Sequence, residues 1–355
     1  MHTAHSTQHT AKRIEYLDAL RGFTMILVVL NHIAVYNLGI DVANDDTFHF
    51  YFRQFRMPLF FFVSGFLFYK NNYIWSWKNI KDFLSKKVVV QIISPLIFLL
   101  CYIQYKDFPF IESLTSASKK GYWFTYALFN YFVLYIAIKK LLNTIKVKES
   151  TILIVLLLIG IIQYYINIGL CLVKLNVPES IVNIFSLKSM QYFFFFVIGT
   201  SAKKYFTQVE NILTKSHFLA IVIILYFTLN IFVDTTSLSY ILTKTLNITL
   251  SICGIAITFG FFKKHEDAFS NNSRVANTLK FIGKRTLDIY LIHTFFFSDN
   301  LPQIFPFFTE HNLPLIEFTT SLIMTAIVIT ACLFISSILR INDTLAHYLF
   351  GAKKK

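Results

Sequence analysis

An arginine and a histidine lie inside the first long apolar run of the sequence. The run LDALRGFTMILVVLNHIAVYNL covers residues 17–38 and contains Arg21 and His32. Ionisable side chains are costly inside a membrane-spanning helix and usually mark a functional site. Eleven helical steps bring the two side chains to one face, about 16 Å apart along the helix axis. This spacing predicts a polar cavity along that face. The alternative is an interfacial Arg21 and a purely structural His32.

The two residue types suit different parts of a group-transfer reaction. A neutral imidazole accepts a proton near pH 7, which makes His32 a candidate general base. The planar guanidinium of Arg21 can hold a phosphate or a carbonyl oxygen through two parallel hydrogen bonds. Asp18 lies three residues before Arg21, where it can either orient the guanidinium or form a simple ion pair with it.

The composition indicates that the helix carrying these residues belongs to a membrane protein. The chain has 355 residues, of which 55 % are hydrophobic and only 15 % are charged. Soluble domains contain about 25 % charged residues. Apolar runs of membrane-spanning length predict an all-α polytopic protein with about ten transmembrane helices. These runs cover residues 17–38, 55–70, 88–105, 122–138, 151–169, 189–206, 217–233, 239–262, 280–298 and 315–339.

The distribution of lysine and arginine predicts the orientation of these helices. With the N-terminus in the cytoplasm, the inner segments contain 24 of these residues and the outer segments contain 7. An excess of this kind is typical of cytoplasmic loops, so both termini are predicted to be cytoplasmic. The net charge of +14 is therefore explained by topology and does not indicate a nucleic-acid partner.

The polar ends of the chain and the apolar stretch between them predict one membrane domain with two tails. Residues 1–16 read as a disordered cytoplasmic tail, residues 17–340 as the membrane domain and residues 341–355 as a basic cytoplasmic tail. The four cysteines, which are Cys101, Cys171, Cys253 and Cys332, show no metal-binding spacing. The histidines of the first tail, which are His2, His5 and His9, are more simply explained by disorder than by metal binding. We expect no metal and no permanently bound cofactor.

Several further segments follow the first run in a fixed order. FRMPLFFFVSGFLFYK contains Ser64, KKGYWFTYALFNYFVLYI contains Trp123, and FIGKRTLDIYLIHTFFF contains Tyr290 and His293. Together with the Arg-x10-His pattern, these segments resemble the acyltransferase-3 family of bacterial integral-membrane O-acyltransferases. This family includes enzymes that acetylate fucose-type sugars and surface polysaccharides. The resemblance extends over approximately residues 15–340.

The resemblance implies roles for individual positions. Arg21 and His32 match the family's arginine and histidine in the first helix, both of which are associated with activity. Ser64 matches the serine of the SGF motif, and Trp123 matches an aromatic residue that opens the fourth helix. The resemblance also implies an acyl-CoA donor that enters from the cytoplasm and a glycan hydroxyl group as acceptor.

The sequence departs from the family in one motif. Many members carry an Arg-x-x-Arg pair before a proline in the third helix, and Val88 and Gln91 occupy that spacing here. Lys86 and Lys87 lie one turn earlier and are candidate contacts for the donor phosphates, although a lysine cannot reproduce the arginine fork.

Several candidate substrate-binding residues have more than one interpretation. Ser64 is a close-packing residue, a hydrogen-bonding group or a nucleophile, and no GxSxG elbow surrounds it. Trp123 and the adjacent Tyr122 fit an aromatic belt at the membrane boundary, and Trp123 can alternatively stack against a sugar. Tyr290 and His293 lie in a late apolar run, where a polar side chain favours a cavity.

The sequence therefore predicts a multi-pass O-acyltransferase of the bacterial inner membrane. It would transfer an acyl group, most simply acetyl, from acyl-CoA to a glycan or lipid-linked sugar, with His32 as the base. The alternatives are a proton-coupled transporter or flippase of a surface-glycan pathway and a non-catalytic partner in polymer assembly. The sequence has no internal repeat that would favour a transporter.

Overall fold

The computed structural model describes residues 14–43, 46–233, 237–298, 305–311 and 313–352, and the described residues contain helices but no strand. The first part of the chain forms helices α1 (Glu15–Tyr36), α2 (Phe48–Arg53), α3 (Arg56–Phe68), α4 (Trp77–Val88), α5 (Ser94–Lys106), α6 (Phe110–Thr115), α7 (Trp123–Thr144), α8 (Glu149–Ile166), α9 (Ile168–Lys174) and α10 (Glu179–Ile184). A π-helical turn, Val89–Ile93, joins α4 to α5.

The second part of the chain continues in the same way. It forms helices α11 (Phe193–Lys204), α12 (Phe206–Leu213), α13 (Ser216–Phe232), α14 (Tyr240–Lys264), α15 (Glu266–Ser270), α16 (Arg274–Lys284), α17 (Thr286–Ile292), α18 (Phe305–Glu310), α19 (Pro314–Leu339) and α20 (Asp343–Phe350). A 3₁₀ turn, His293–Phe296, directly extends α17. The protein is therefore all-α, as the sequence predicts.

Within the described residues, six helices are long and apolar enough to cross a membrane, namely α1, the continuous run Trp77–Lys106, α7, α8, α14 and α19. The pair α12 and α13, bent by 75°, would raise the number to seven. Three other segments, which the sequence predicts to span the membrane, form the shorter helices α3, α11 and α17. A 13-residue helix such as α3 is only about 20 Å long, against about 30 Å of hydrocarbon. The count of ten spans stays a prediction.

The predicted tails differ from the structure in extent. Helix α1 begins at Glu15, inside the segment expected to be a tail, whereas the three tail histidines lie outside the described residues. At the other end of the chain, α20 occupies most of the predicted C-terminal tail. The Ser94 hydroxyl donates a hydrogen bond of 2.8 Å to the carbonyl oxygen of Tyr348 and so ties α20 to α5. The predicted tail therefore contains a packed helix.

Glycine residues bring α1 very close to α16. A Cβ atom at Gly22 would overlap the backbone carbonyl of Leu279, and one at Gly283 would overlap the carbonyl of Asp18. Only glycine permits such an approach of two helix backbones, which is the packing that small residues provide in membranes. This crossing fixes the position of α1 against α16.

A second glycine crossing explains the SGF motif. A Cβ atom at Gly65 would overlap the carbonyl of Phe196, and one at Gly199 would overlap the carbonyl of Phe62, so α3 and α11 are in backbone contact. Phe66 is buried against the ring of Phe259. The motif thus places a glycine at the crossing and a phenylalanine in the core, and it leaves Ser64 on the remaining face of α3.

Candidate active site

A cavity of about 420 Å³ lies between α1, α3, the Trp77–Lys106 run, α7 and α17. It is lined by Arg21 and His32 of α1, so the two residues share a cavity-facing side, as their spacing predicts. The middle of the cavity is apolar and includes Val28 and Leu67. Its described lining contains four arginine or lysine side chains, Arg21, Arg56, Lys70 and Lys87, and no aspartate or glutamate.

The cationic side chains divide between two ends of the cavity. Arg21 and Lys70 are close enough to Lys87 for their charges to act on it, and these three residues form what we call the inner end. Arg56 is close enough to His32 for its charge to act on the imidazole, and these two residues form the outer end. Since Arg56 begins α3 and Lys70 follows its last turn, α3 runs antiparallel to α1.

At the outer end, a second histidine fixes the proton arrangement of His32. His293 Nδ1 lies 2.8 Å from the carbonyl oxygen of Tyr290 and 3.0 Å from that of Ile289. A carbonyl oxygen only accepts hydrogen bonds, so Nδ1 of a neutral His293 carries the proton and Nε2 carries a lone pair. His32 Nδ1 lies 3.0 Å from this Nε2 and donates its own proton to it. The lone pair of neutral His32 is therefore on Nε2.

This arrangement corrects the position expected for His293. The side chain is fully buried and does not line the cavity. It lies behind His32, with the two rings stacked at 5.3 Å between centroids. His293 is thus not placed to contact a substrate in the cavity, and its observed contact is with the candidate base.

Arg56 is a half-buried arginine in an unusual environment. Its Nε and Nη1 atoms are buried and make no hydrogen bond to any described residue. The charged side chain that acts on it is another cation, Arg53. Burial, with a smaller contribution from Arg56, lowers the pKa of nearby His49 to about 4, so this histidine is neutral near pH 7. An unpaired buried donor costs about 1–3 kcal/mol, and a charged one more.

The inner end differs because its cations already have partners. Arg21 Nη2 donates a hydrogen bond of 2.7 Å to the hydroxyl of Thr286, and Arg21 Nη1 lies 3.7 Å from Asp18 Oδ1. Asp18 is buried and does not line the cavity, so its contact with Arg21 fits the predicted orienting carboxylate as well as a simple ion pair. The ammonium group of Lys87 lies 4.8 Å from the ring centre of Phe132.

The adjacent lysines predicted as donor contacts do not share one environment. Lys87 lines the cavity, whereas Lys86 is exposed and outside the cavity lining. The π-helical turn begins two residues after Lys87 and brings Gln91 into the lining, with its Oε1 atom buried and unpaired. Single π turns are frequent at functional sites. The position at which many family members carry an arginine therefore faces the cavity here as a glutamine.

The other candidate residues line the same cavity. The Ser64 hydroxyl donates to the carbonyl oxygen of Phe60 at 2.8 Å, so its proton is used within its own helix. Tyr290 donates to the carbonyl oxygen of Gly121 at 3.0 Å, and Trp123 lies in the wall near it. Tyr122 is fully buried, so the interpretation of Tyr122 as a lipid-facing belt residue is wrong.

Among the polar residues that line the cavity, the sequence does not identify Arg56, Lys70 and Thr286 as site residues. The count of lysine and arginine places Arg56 in an outer segment and Lys70 in an inner segment, at the two ends of a predicted span, where such residues are ordinary. The available signal was the position of Arg56 directly before the apolar start of α3. Arg285 lies just before α17 and Asp288 lies within it, and neither lines the cavity. The guanidinium of Arg340 donates two hydrogen bonds of 2.7 Å to the carboxylate of Asp288.

Comparison with known families agrees with this architecture. The acyltransferase-3 family profile, described as an acyltransferase domain, matches residues 14–339. The match covers almost the whole chain, and the protein therefore belongs to the acyltransferase-3 family and is a membrane acyltransferase. No curated protein matches the chain. No solved structure matches it either.

Proposed function

We propose that this protein transfers an acyl group, most simply acetyl, from acyl-CoA to a hydroxyl group of a glycan or lipid-linked sugar. The observation that carries the proposal is the free lone pair of His32 Nε2 in a cavity whose far end is cationic. A base at one end and a phosphate-attracting cluster at the other match the two ends of an acyl-CoA molecule.

The donor fits the cavity in one direction. The phosphates of CoA would meet Arg21, Lys70 and Lys87 at the inner end, which the distribution of lysine and arginine assigns to the cytoplasm. The pantetheine arm would cross the apolar middle of the cavity. The axial separation of Arg21 and His32, about 16 Å, is comparable with the length of that extended arm, so the thioester would reach the imidazole.

The reaction then needs one proton carrier. His32 Nε2 takes the proton of the acceptor hydroxyl as its oxygen attacks the thioester carbon. The C–S bond breaks as the tetrahedral intermediate collapses, and the proton passes from Nε2 to the sulfur of CoA. A positioned general base of this kind contributes about 10²–10⁴-fold to a rate. Because the Ser64 proton is held by Phe60, the geometry supports direct transfer rather than an acyl-serine intermediate.

The acceptor would approach the outer end of the cavity. Trp123 and Tyr290 line the wall there, and an aromatic face suits a sugar ring. The resemblance to enzymes that acetylate fucose-type sugars and polysaccharides supports a glycan or glycolipid of the bacterial inner membrane. The proposed location follows from the same resemblance.

The test is a coupled measurement on the purified full chain. Acetyl-CoA labelled in the acetyl group is supplied with glycans and glycolipids extracted from the producing cells, and released CoA is compared with labelled product. We expect equal amounts. His32→Ala should reduce both by at least about 10²-fold, whereas His217→Ala, at an exposed histidine of α13, should match the wild type.

Two results would overturn the proposal. If His32→Ala keeps its activity within a few-fold of the wild type, His32 is a structural residue. If no extract supports CoA release while proteoliposomes show proton-coupled uptake of an unmodified glycan, the protein is a carrier.

A further inference from the structure

Arg56 lines the cavity, and the proposed reaction has not used its hydrogen-bonding capacity. Its Nε and Nη1 atoms are buried and unpaired among the described residues, and it lies at the same end of the cavity as His32. An arginine with two buried N–H groups that no described residue accepts is suited to a charge that arrives with a substrate or forms during a reaction.

We propose that Arg56 is a catalytic residue that stabilises the oxyanion of the thioester during acyl transfer. This inference rests on the function proposed above. The attack of the hydroxyl oxygen pushes the carbonyl π electrons onto the thioester oxygen, and the N–H groups of Arg56 donate to that oxygen. When the C–S bond breaks, the electrons return, the carbonyl re-forms as an ester, and Arg56 is again unpaired.

The position of the donor favours this role over phosphate binding. The CoA phosphates are accounted for by the inner end, and α3 separates Lys70 from Arg56 by its full length of 13 residues, which is about 20 Å. The oxygen that gains charge beside His32 is the thioester carbonyl oxygen. Arg56 is the cationic cavity residue at that end, in the part of the chain that the structure describes.

The electrostatic surroundings support the same assignment. The described cavity lining has no carboxylate to neutralise the guanidinium, and Ser64 and Tyr290 direct their hydroxyl protons to backbone carbonyls. Both hydroxyl groups are therefore already committed as donors. Arg56 has free donors, and donors that are held in place before the reaction do not have to reorganise as the charge develops.

The test compares Arg56→Gln and Arg56→Lys with Arg53→Gln. Arg53 is the matched control because it lies three residues away, is exposed and is outside the cavity lining. Turnover is measured as CoA release from acetyl-CoA, with the glycolipid extract of the producing cells as acceptor. We expect Arg56→Gln to lower kcat by about 10²–10³-fold, with the KM for acetyl-CoA nearly unchanged. Arg56→Lys should be intermediate, and Arg53→Gln should match the wild type.

A second measurement separates catalysis from folding. Acetyl-CoA should raise the Tm of Arg56→Gln as much as that of the wild type, since the inner end is intact. The inference is overturned if kcat of Arg56→Gln stays within a few-fold of the wild type, or if the acetyl-CoA shift in Tm is lost. It is also overturned if the whole effect lies in the KM for the extract, because Arg56 would then bind an anionic group of the acceptor.

The two proposals fail in different ways. If the wild-type protein releases no CoA with any extract, the proposed function fails, and the role of Arg56 fails with it. If the wild type is active and His32→Ala is inactive while Arg56→Gln is fully active, the acyltransferase function stands and only the role of Arg56 is overturned.

Discussion

The two ends of the cavity both carry cations, but they hold them in different ways. At the inner end, Arg21 contacts Thr286 and the ammonium group of Lys87 faces the ring of Phe132. At the outer end, the Nε and Nη1 atoms of Arg56 have no partner among the described residues, and His32 is held by one hydrogen bond from a fixed direction. The inner end is therefore complete before a ligand arrives, whereas the outer end is not.

This difference matches two tasks that a group-transfer site must perform. A phosphate carries its charge before it binds, so several loosely arranged cations attract it even when their exact positions vary. A charge that exists only during the reaction needs donors that are already oriented and shielded from water. We infer that the inner end contributes mainly to donor affinity and the outer end mainly to turnover.

The largest effect that would test this contrast concerns His293. His293→Leu removes the acceptor of the His32 Nδ1 proton, so the imidazole loses its fixed tautomer and orientation. The loss of one buried hydrogen bond of about 1–3 kcal/mol corresponds to about 5–160-fold in turnover. His293→Gln retains an acceptor oxygen, so it should be more active than His293→Leu although the two variants have equal Tm values. The measurement is kcat with acetyl-CoA and the glycolipid extract.

The comparison of the two His293 variants decides between positioning and bulk packing. Equal losses in His293→Leu and His293→Gln would indicate that the side chain acts through its volume alone. Unchanged turnover in both would remove His293 from the mechanism.

A smaller effect, on affinity rather than turnover, is expected for Arg21. Arg21→Lys keeps the charge but loses the planar fork, so the KM for acetyl-CoA should rise by about 10-fold and kcat should change less. The shift in Tm produced by acetyl-CoA should shrink accordingly. Arg274→Lys, at an exposed position of α16, serves as the control. Equal stabilisation of Arg21→Lys and the wild type would exclude Arg21 from the donor site.

The smallest effect separates two neighbouring lysines. Lys87→Gln removes one partly hydrated charge from the inner end and should raise the KM for acetyl-CoA by about 2–5-fold, in line with the modest energies of such charges. Lys86→Gln, one residue away but outside the cavity lining, should have no effect. The rise in KM caused by Lys87→Gln should also become smaller at high salt concentration, because salt screens the charge. Identical KM values for the two variants would contradict the assignment of the inner end.

The sequence predicted some parts of the site because they lie within one helix. The spacing of Arg21 and His32 fixes their common face from helical geometry alone, and both line the cavity. This prediction needed only the regular repeat of a helix. Close packing was one of the interpretations left open for Ser64, and it is the adjacent Gly65 that contacts the α11 backbone.

Other parts could not be predicted because they depend on contacts between distant segments. The partners His32 and His293 are 261 residues apart, and their meeting follows from the position of α17 beside α1. Lys86 and Lys87 are chemically identical in the sequence, and only the packing of α4 against the cavity distinguishes them. Arg56 and Arg53 are the same residue type three positions apart, and only the packing around α3 decides that the Nε and Nη1 atoms of Arg56 are buried.

The amino-acid sequence by itself determined the all-α membrane class, the family and the common face of Arg21 and His32. Composition, apolar periodicity and the spacing of residues within a helix are sufficient for these conclusions. The tertiary structure alone decided which nitrogen of His32 is free and which arginine has buried N–H groups without an acceptor among the described residues. The physical reason is that hydrogen bonding and burial are properties of pairs and neighbourhoods. In this protein those neighbourhoods are formed where α1, α3 and α17 meet.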